Sequence, residues 1–354
     1  MTDRSLRIVH VTSAGSYTYG AVMSMMTLAK AQIAAGDDVQ FETWQGRNFG
    51  AELRGLGYRA HEVKVRTKID LLAILQMRRW FREQKFDIVH THLSTSSING
   101  CLAAKFAGIP SVATVHGMSS KRSFIFADHM IGVSQGVCDH LVAQGVPSAK
   151  TTAVYNGVDV PPGVMSKQEA REAFNLPMDA TVFGTVARLT PMKGIDTGLE
   201  AFKILAEKVP NSHYVLVGSG DGEPTYRQWV ADSNLQDRVH FLGYQSNVFN
   251  PLAAMDIFLF PSLKEAMGIC VVEALAMGLP VVSTNVGGLP EVITPEVGFL
   301  VPPNDAHAMA AGAQTSLNRP ELASKARLRA QTEFSTDSMR RGTQLVYTNL
   351  CEIW

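Results

Sequence analysis

The chain has 354 residues, with 32 Lys/Arg balanced by 32 Asp/Glu and therefore no formal net charge. Its 46% hydrophobic and 18% charged residues match a soluble globular protein, long enough for two domains of ordinary size. No apolar run approaches the roughly 20 residues that cross a bilayer, and the first apolar stretch, in MTDRSLRIVHVT, reads as a strand and not as a secretory segment. A cytoplasmic protein is expected.

The neutral total hides an asymmetry. Up to Gly163 there are 17 Lys/Arg against 12 Asp/Glu, leaving 15 against 20 in the remainder. The basic excess concentrates between Trp44 and Phe86, where ten cations (Arg47, Arg54 and Arg59 through Arg82 and Lys85) meet four acids. Such a segment attracts anionic lipid head groups, a phosphorylated acceptor or nucleic acid, or is simply a solvated face. The four cysteines (Cys101, Cys138, Cys270 and Cys351) are scattered without C-x-x-C spacing. They read as buried small hydrophobes in a reducing cytoplasm, not as zinc ligands.

In chain order, LRIVHVT opens as a strand and a turn from Ala14 to Gly20 leads into the apolar helix AVMSMMTLAKAQIAAG. Strands follow at DVQFETW, FDIVHTH, SVATVHG, HMIGVS and TTAVYNGV, with helical stretches between them. The alternation breaks at NGVDVPPG, residues 156–163, and a polar helix-like segment SKQEAREAF comes next. The domain boundary is placed here. The second half repeats the pattern with strands at TVFGTVA, HYVLVGS, VHFLGY, DIFLFPS and PVVST. Residues 336–354 read as a last helix with apolar Met339, Leu345, Val346 and Leu350. Strands alternating with helices predict two parallel-sheet α/β domains, with ligands at the carboxyl ends of the strands.

The residues that carry chemistry cluster at predicted strand ends. Arg188 and Lys193 leave the strand TVFGTVA within RLTPMKG. The pair supplies a bidentate fork and a point charge for a diphosphate, or else caps a helix or pairs with surface acids. Gly218 and Gly220 form a Gly-rich loop after YVLV, where backbone N–H groups can approach a phosphate, although a plain turn reads equally well. Glu265 lies in the loop after DIFLFPS, and Glu273 is expected about two turns into the next helix. Eight helical residues span about 12 Å, too far for a shared proton or a metal. The spacing suits a sugar and a ribose, and in the apolar stretch VVEALAM an unpaired Glu273 carboxylate is costly. His116 follows SVATV at another strand end and is read as a donor-sugar contact. His90 and His92 are spaced H-x-H, but no third ligand stands out, and the chain contains no D-x-D. Metal-independent chemistry and no metal site are expected, with His90 and His92 structural or acceptor-facing. The N-terminal turn is not G-x-G-x-x-G, which argues against a dinucleotide oxidoreductase.

Glu265-x₇-Glu273 and the following GLPVVSTNVGGLPEV, supported by TVHG, NGVD and ARLTPMKG, resemble the retaining glycosyltransferases of family 4, which have the GT-B fold. The resemblance covers almost the whole chain. It implies two Rossmann-like domains facing each other across a cleft: residues 1–163 binding the acceptor, 164–335 binding the nucleotide sugar, and a helix over 336–354 crossing back to the first domain. It implies a retaining hexosyl transfer from a UDP- or GDP-sugar to an acceptor hydroxyl, without metal or other cofactor. A front-face displacement is expected, since no side chain reads as a nucleophile. The implied acceptor is a glycan or lipid-linked molecule of bacterial cell-surface synthesis (lipopolysaccharide, capsule or glycolipid). Segment 44–86 is expected to touch an anionic membrane on its inner face, and nucleic acid is not an expected partner.

By the same resemblance Glu265 touches the donor-sugar hydroxyls and the backbone amides of Met267, Gly268 and Ile269 meet the sugar and diphosphate. Glu273 binds the ribose, Arg188 and Lys193 clamp the diphosphate, and His116 lies near the sugar's primary hydroxyl. Gly20 lets the first helix approach the phosphates. The chain departs from the family where Tyr19-Gly20 replaces a Gly-Gly pair and Glu265-Ala266-Met267-Gly268 replaces E-G-F-G. A nucleotide-sugar 2-epimerase of the same architecture is the alternative reading, and a non-catalytic sugar-binding protein has no reason to keep all four charged groups.

Overall fold

A computed structural model describes residues 5–16 and 20–354. Tyr17, Thr18 and Tyr19 of the first turn lie outside the described residues. The chain forms two compact units, one running through Gly157 and resuming at Ser335–Trp354, the other Val158–Phe334.

The first unit is built on strands β1 (Arg7–Thr12), β2 (Asp38–Trp44), β3 (Ala60–Val63), β4 (Ile88–His92), β5 (Ser111–Val115), β6 (His129–Gly132) and β7 (Thr151–Ala153). They lie in the order β3-β2-β1-β4-β5-β6-β7, and every pairing is parallel. The second unit has β8 (Thr181–Val186), β9 (Ser212–Val217), β10 (Val239–Gly243), β11 (Ile257–Phe260), β12 (Val281–Thr284) and β13 (Gly298–Val301), ordered β10-β9-β8-β11-β12-β13 and again all parallel. Both sheets are Rossmann-like. Strand order reverses between β1 and β4 in one and between β8 and β11 in the other, and loops leaving the carboxyl ends at such a reversal diverge and leave room for a ligand.

The central strands are buried along almost their whole length, as in Phe258, Leu259 and Phe260 of β11, which is why they read as continuous apolar runs. The edge strands β3 and β13 carry half-exposed residues in AHEV and GFLV, a weaker pattern from which the sequence reading drew no strand. Helix starts are set by side chains that satisfy the first free amides. Asp70 accepts from Ala73 N, Ser134 from Val137 N and Asp305 from Ala308 N. Ser166 and Glu169 form a reciprocal capping box at the head of Lys167–Ala173.

The closing helix, Thr336–Ile353, belongs to the first unit and packs on the Gly20–Ala34 helix. It buries Met339, Thr343, Val346, Tyr347 and Leu350 in a core shared with Ile8, Met25, Phe41 and Ile131. Leu345 points to solvent, because helical spacing puts it on the face opposite Thr343 and Tyr347. At Gly157 a side chain would run into the backbone of Ser335 and Thr336, so glycine there allows the two chain segments to pass closely. The cysteines divide. Cys101 and Cys138 are buried, Cys270 is half-buried and Cys351 is exposed on the last helical turn, so the expectation of four buried thiols holds only where the thiol sits under a sheet.

Tyr347 is fully buried, and its hydroxyl meets His90 Nδ1 at 2.5 Å and Gln32 Nε2 at 3.3 Å. Tyr347→Phe strands both buried groups and is expected to lower stability by about 1–3 kcal/mol, read as a lower urea midpoint with unchanged far-UV circular dichroism. An unaltered midpoint contradicts this account of the helix.

Candidate functional site

In the second unit the loops after β8 and β11 leave adjacent strands at the order reversal, and the sequence positions 193 and 265 meet there. Lys193 Nζ lies 2.5 Å from Glu265 Oε2, and both side chains are less than one-fifth exposed. Phe260, the last residue of β11, places its ring 5.5 Å from the ammonium. The backbones are tied as well, since Leu263 N donates to Met192 O at 3.0 Å. Glu265 Oε1 accepts from Ala266 N at 3.1 Å. A half-buried pair of this kind is held by its partner, and removal of either member leaves a charge without compensation. Arg188 leaves β8 exposed, and no hydrogen bond or ion pair engages its guanidinium among the described residues.

The glycines act first on the protein's own backbone. Side chains at Gly218 and Gly220 would collide with the carbonyls of Ala187 and Leu189. Leu189 N in turn donates to Ser219 O, and Gly222 N to Leu189 O. The Gly-rich loop therefore wraps the segment that carries Arg188. Gly287 has φ +54, and a Cβ there would meet Glu265 O; Thr284 Oγ1 also donates to Ser262 O. The turn after β12 thus braces the Glu265 loop, a role the sequence reading did not assign to Gly287 or Thr284. Their signal was the Gly-Gly pair two residues past a strand end.

Gly268 is left-handed (φ 84) and starts the helix Ile269–Ala276. Glu273 therefore stands little more than one turn into the helix, not two, because Glu265–Met267 form an irregular loop pinned by Gly268 and Gly287. Met267 is buried, and Gly268 and Ile269 present the helix N-terminus, where first-turn amides lack intrahelical partners. No hydrogen bond or ion pair holds the Glu273 carboxylate among the described residues, and burial pushes its pKa up to about 7. The carboxyl keeps a proton well above the ordinary range until a partner compensates its charge.

In the first unit His116 stands just past β5, half-buried, with its Nε2 3.2 Å from His92 Nδ1. Burial lowers its pKa to about 4, so the ring is neutral at physiological pH. His10 of β1 joins His90 and His92 of β4. This is the third histidine that the H-x-H spacing could not reveal, because only the sheet order makes β1 the neighbour of β4. The ring nitrogens of His10, His90 and His92 come within a metal's reach of one another, but each already has a protein partner, set out below. Gly20 is exposed and begins the first helix.

Within the basic segment Arg54 pairs with Glu62, Arg79 with Glu83 and Arg59 with Asp38. Lys64, Arg66 and Lys68 have no ion pair among the described residues. Beside them Ile69, Leu71, Leu72 and Leu75 are all exposed at the head of the Leu71–Gln84 helix, between 47% and 64%, a contiguous apolar face that composition alone did not disclose. A separate concavity of about 690 Å³ lies at the opposite, amino ends of β8 and β11. Its Lys167 and Arg171 are both paired with Asp256, which makes it structural.

Two cations, a helix N-terminus and an acid whose pKa is raised to about 7 thus stand in the segments that follow the carboxyl ends of β8 and β11. Residues 18–161 match the family described as Glycosyltransferase Family 4, and residues 166–333 match Glycosyl transferases group 1. The chain belongs to glycosyltransferase family 4 and has the GT-B fold. It is 32% identical to the UDP-Gal:alpha-D-GlcNAc-diphosphoundecaprenol alpha-1,3-galactosyltransferase of Escherichia coli over 67% of each chain. It is 30% identical to the amylovoran biosynthesis glycosyltransferase AmsK of Erwinia amylovora, over 68% of this chain and 63% of that one. The match thus covers about two thirds of either relative. Among solved structures, Anabaena Alr3699/HepE in complex with UDP superposes with a TM-score of 0.84 at 21% identity, covering 98% of this chain and all of the other.

The raised pKa of Glu273 has a sign. Between the ordinary carboxyl range and about 7 the folded chain holds a proton that the unfolded chain has released, so rising pH through this window lowers stability. Thermal unfolding between about pH 5 and pH 8 should show Glu273→Gln losing less stability with pH than the wild type. Parallel curves contradict the shift.

Proposed function

We propose that the chain transfers a hexose from a UDP-sugar to an acceptor hydroxyl with retention of anomeric configuration and without a metal ion. The observation that carries this reading is the Lys193–Glu265 contact at 2.5 Å beside the unpaired Arg188. Donor binding hands Lys193 from the carboxylate to a diphosphate and frees Glu265 to accept from sugar hydroxyls. Arg188 and Lys193 then neutralise the charge that grows on the departing UDP. The absence of D-x-D from the sequence and the presence of these two cations favour metal-independent stabilisation. The amides of Met267, Gly268 and Ile269 bind the sugar and phosphates, as do Gly20, Gly218 and Gly220. Glu273 ionises against the ribose hydroxyls, and His116 contacts the sugar.

UDP is favoured over GDP because the Escherichia coli relative is named for a UDP-Gal donor and the Anabaena neighbour holds UDP. The second unit, 158–334, takes the nucleotide sugar and the first the acceptor. Since no side chain stands as a nucleophile in the sequence reading, the leaving diphosphate takes the acceptor's proton as the new glycosidic bond forms on the same face. The acceptor belongs to cell-surface glycan synthesis and is lipid-linked. Lys64, Arg66 and Lys68, next to exposed Ile69, Leu71, Leu72 and Leu75, suit an anionic membrane surface, where charge attraction and shallow apolar insertion add.

Lys193→Ala and Glu265→Ala should each lower transfer from UDP-galactose or UDP-glucose by about 10²–10³-fold, measured as UDP release with acceptor present; near-full activity in both sinks the site. Sedimentation with anionic and neutral vesicles should favour the anionic ones, and Leu71→Ser with Leu72→Ser should weaken that binding. Equal weak binding to both vesicle types removes the membrane contact.

A further inference from the structure

Three histidines and one glutamine make a continuous hydrogen-bonded chain in the first unit. Gln32 Nε2 donates to Tyr347 OH, which leaves Gln32 Oε1 facing His10 Nε2 at 2.8 Å. An amide oxygen only accepts, so His10 carries its proton on Nε2. Its Nδ1 is then an acceptor and lies 2.9 Å from His92 Nε2. That nitrogen must be protonated, which makes His92 Nδ1 the acceptor for His116 Nε2 at 3.2 Å. His90 stacks on His92 with ring centroids 4.3 Å apart. Its own nitrogens are taken by Tyr347 OH at 2.5 Å and Thr114 Oγ1 at 2.6 Å, so it supports the chain without joining it.

Burial keeps all four rings neutral, and a neutral imidazole has one donor and one acceptor. The choice made at Gln32 therefore passes from ring to ring. It ends at His116, whose Nδ1 has no partner among the described residues. Every ring nitrogen of His10, His90 and His92 has a hydrogen-bond partner within the protein, and His10 and His92 form a relay that His90 flanks.

We propose that Gln32, His10 and His92 are positioning residues that lock His116 in its Nε2–H tautomer, so that its bare Nδ1 accepts a hydrogen bond from a hydroxyl of the donor hexose. This rests on His116 touching the sugar, and the relay itself is measurable without any sugar. The closing helix takes part through Tyr347, the group that orients Gln32.

The test is 15N-histidine NMR on the full chain, with His116 assigned by its loss in His116→Gln. The wild type should show a protonated Nε2 and an unprotonated Nδ1 at His116. His92→Phe should collapse these two shifts toward the averaged values of exchanging tautomers. It should also weaken UDP-galactose binding by about tenfold, the worth of one hydrogen bond, while leaving UDP binding unchanged. Gln32→Leu, cut at the far end, should reproduce the tautomer change and serves if His92→Phe fails to fold. A wild-type His116 protonated on Nδ1, or one whose shifts ignore both substitutions, overturns the relay. If instead His116→Gln leaves transfer intact while the shifts behave as expected, the sugar contact fails and the relay stands.

Discussion

The adjacency of β8 and β11 governs the second unit. Two parallel strands that neighbour each other where the order reverses send their outgoing loops past one another. Positions 193 and 265, far apart in sequence, are thereby brought to 2.5 Å. Phe260 fixes the height of the ammonium and Gly287 fixes the loop that carries the carboxylate. On the function proposed above, this salt bridge keeps a place for a diphosphate, because a lysine satisfied by a carboxylate is easily transferred to a more highly charged anion. Arg188 needs no such restraint, since it projects from the segment that the Gly-rich loop already clamps.

The two units solve the problem of buried polarity differently. The second leaves the Glu273 carboxyl without a partner among the described residues, and burial raises its pKa to about 7. The first buries His10, His90 and His92 near the carboxyl ends of β1 and β4 and satisfies their ring nitrogens with one another, His116, Gln32, Thr114 and Tyr347. Their neutrality follows from desolvation, and neutrality makes their hydrogen bonds directional. A charged histidine in this chain would donate from both nitrogens and break the order on either side.

The closing helix connects these themes to the fold. Its apolar face completes the core around Met25, Met26 and Phe41, and its buried Tyr347 hydroxyl enters the polar network. The return of residues 335–354 to the first unit thus contributes both packing and orientation, and the close passage of Gly157 past Thr336 makes room for it.

Most of the architecture was legible in the sequence. Interior strands such as DIFLF and YVLV declare themselves by unbroken apolarity. Edge strands β3 and β13, exposed on one side, lack that signature. The candidate site residues were also local: Arg188, Lys193, Glu265 and His116 each follow a strand that composition marks. What residue order could not decide is which strand ends are neighbours. That depends on crossover handedness and sheet order, properties of the whole fold. Hence the pairing of Lys193 with Glu265, the company of His10 with His92, and the bracing of Glu265 by Gly287 were settled only by the tertiary structure.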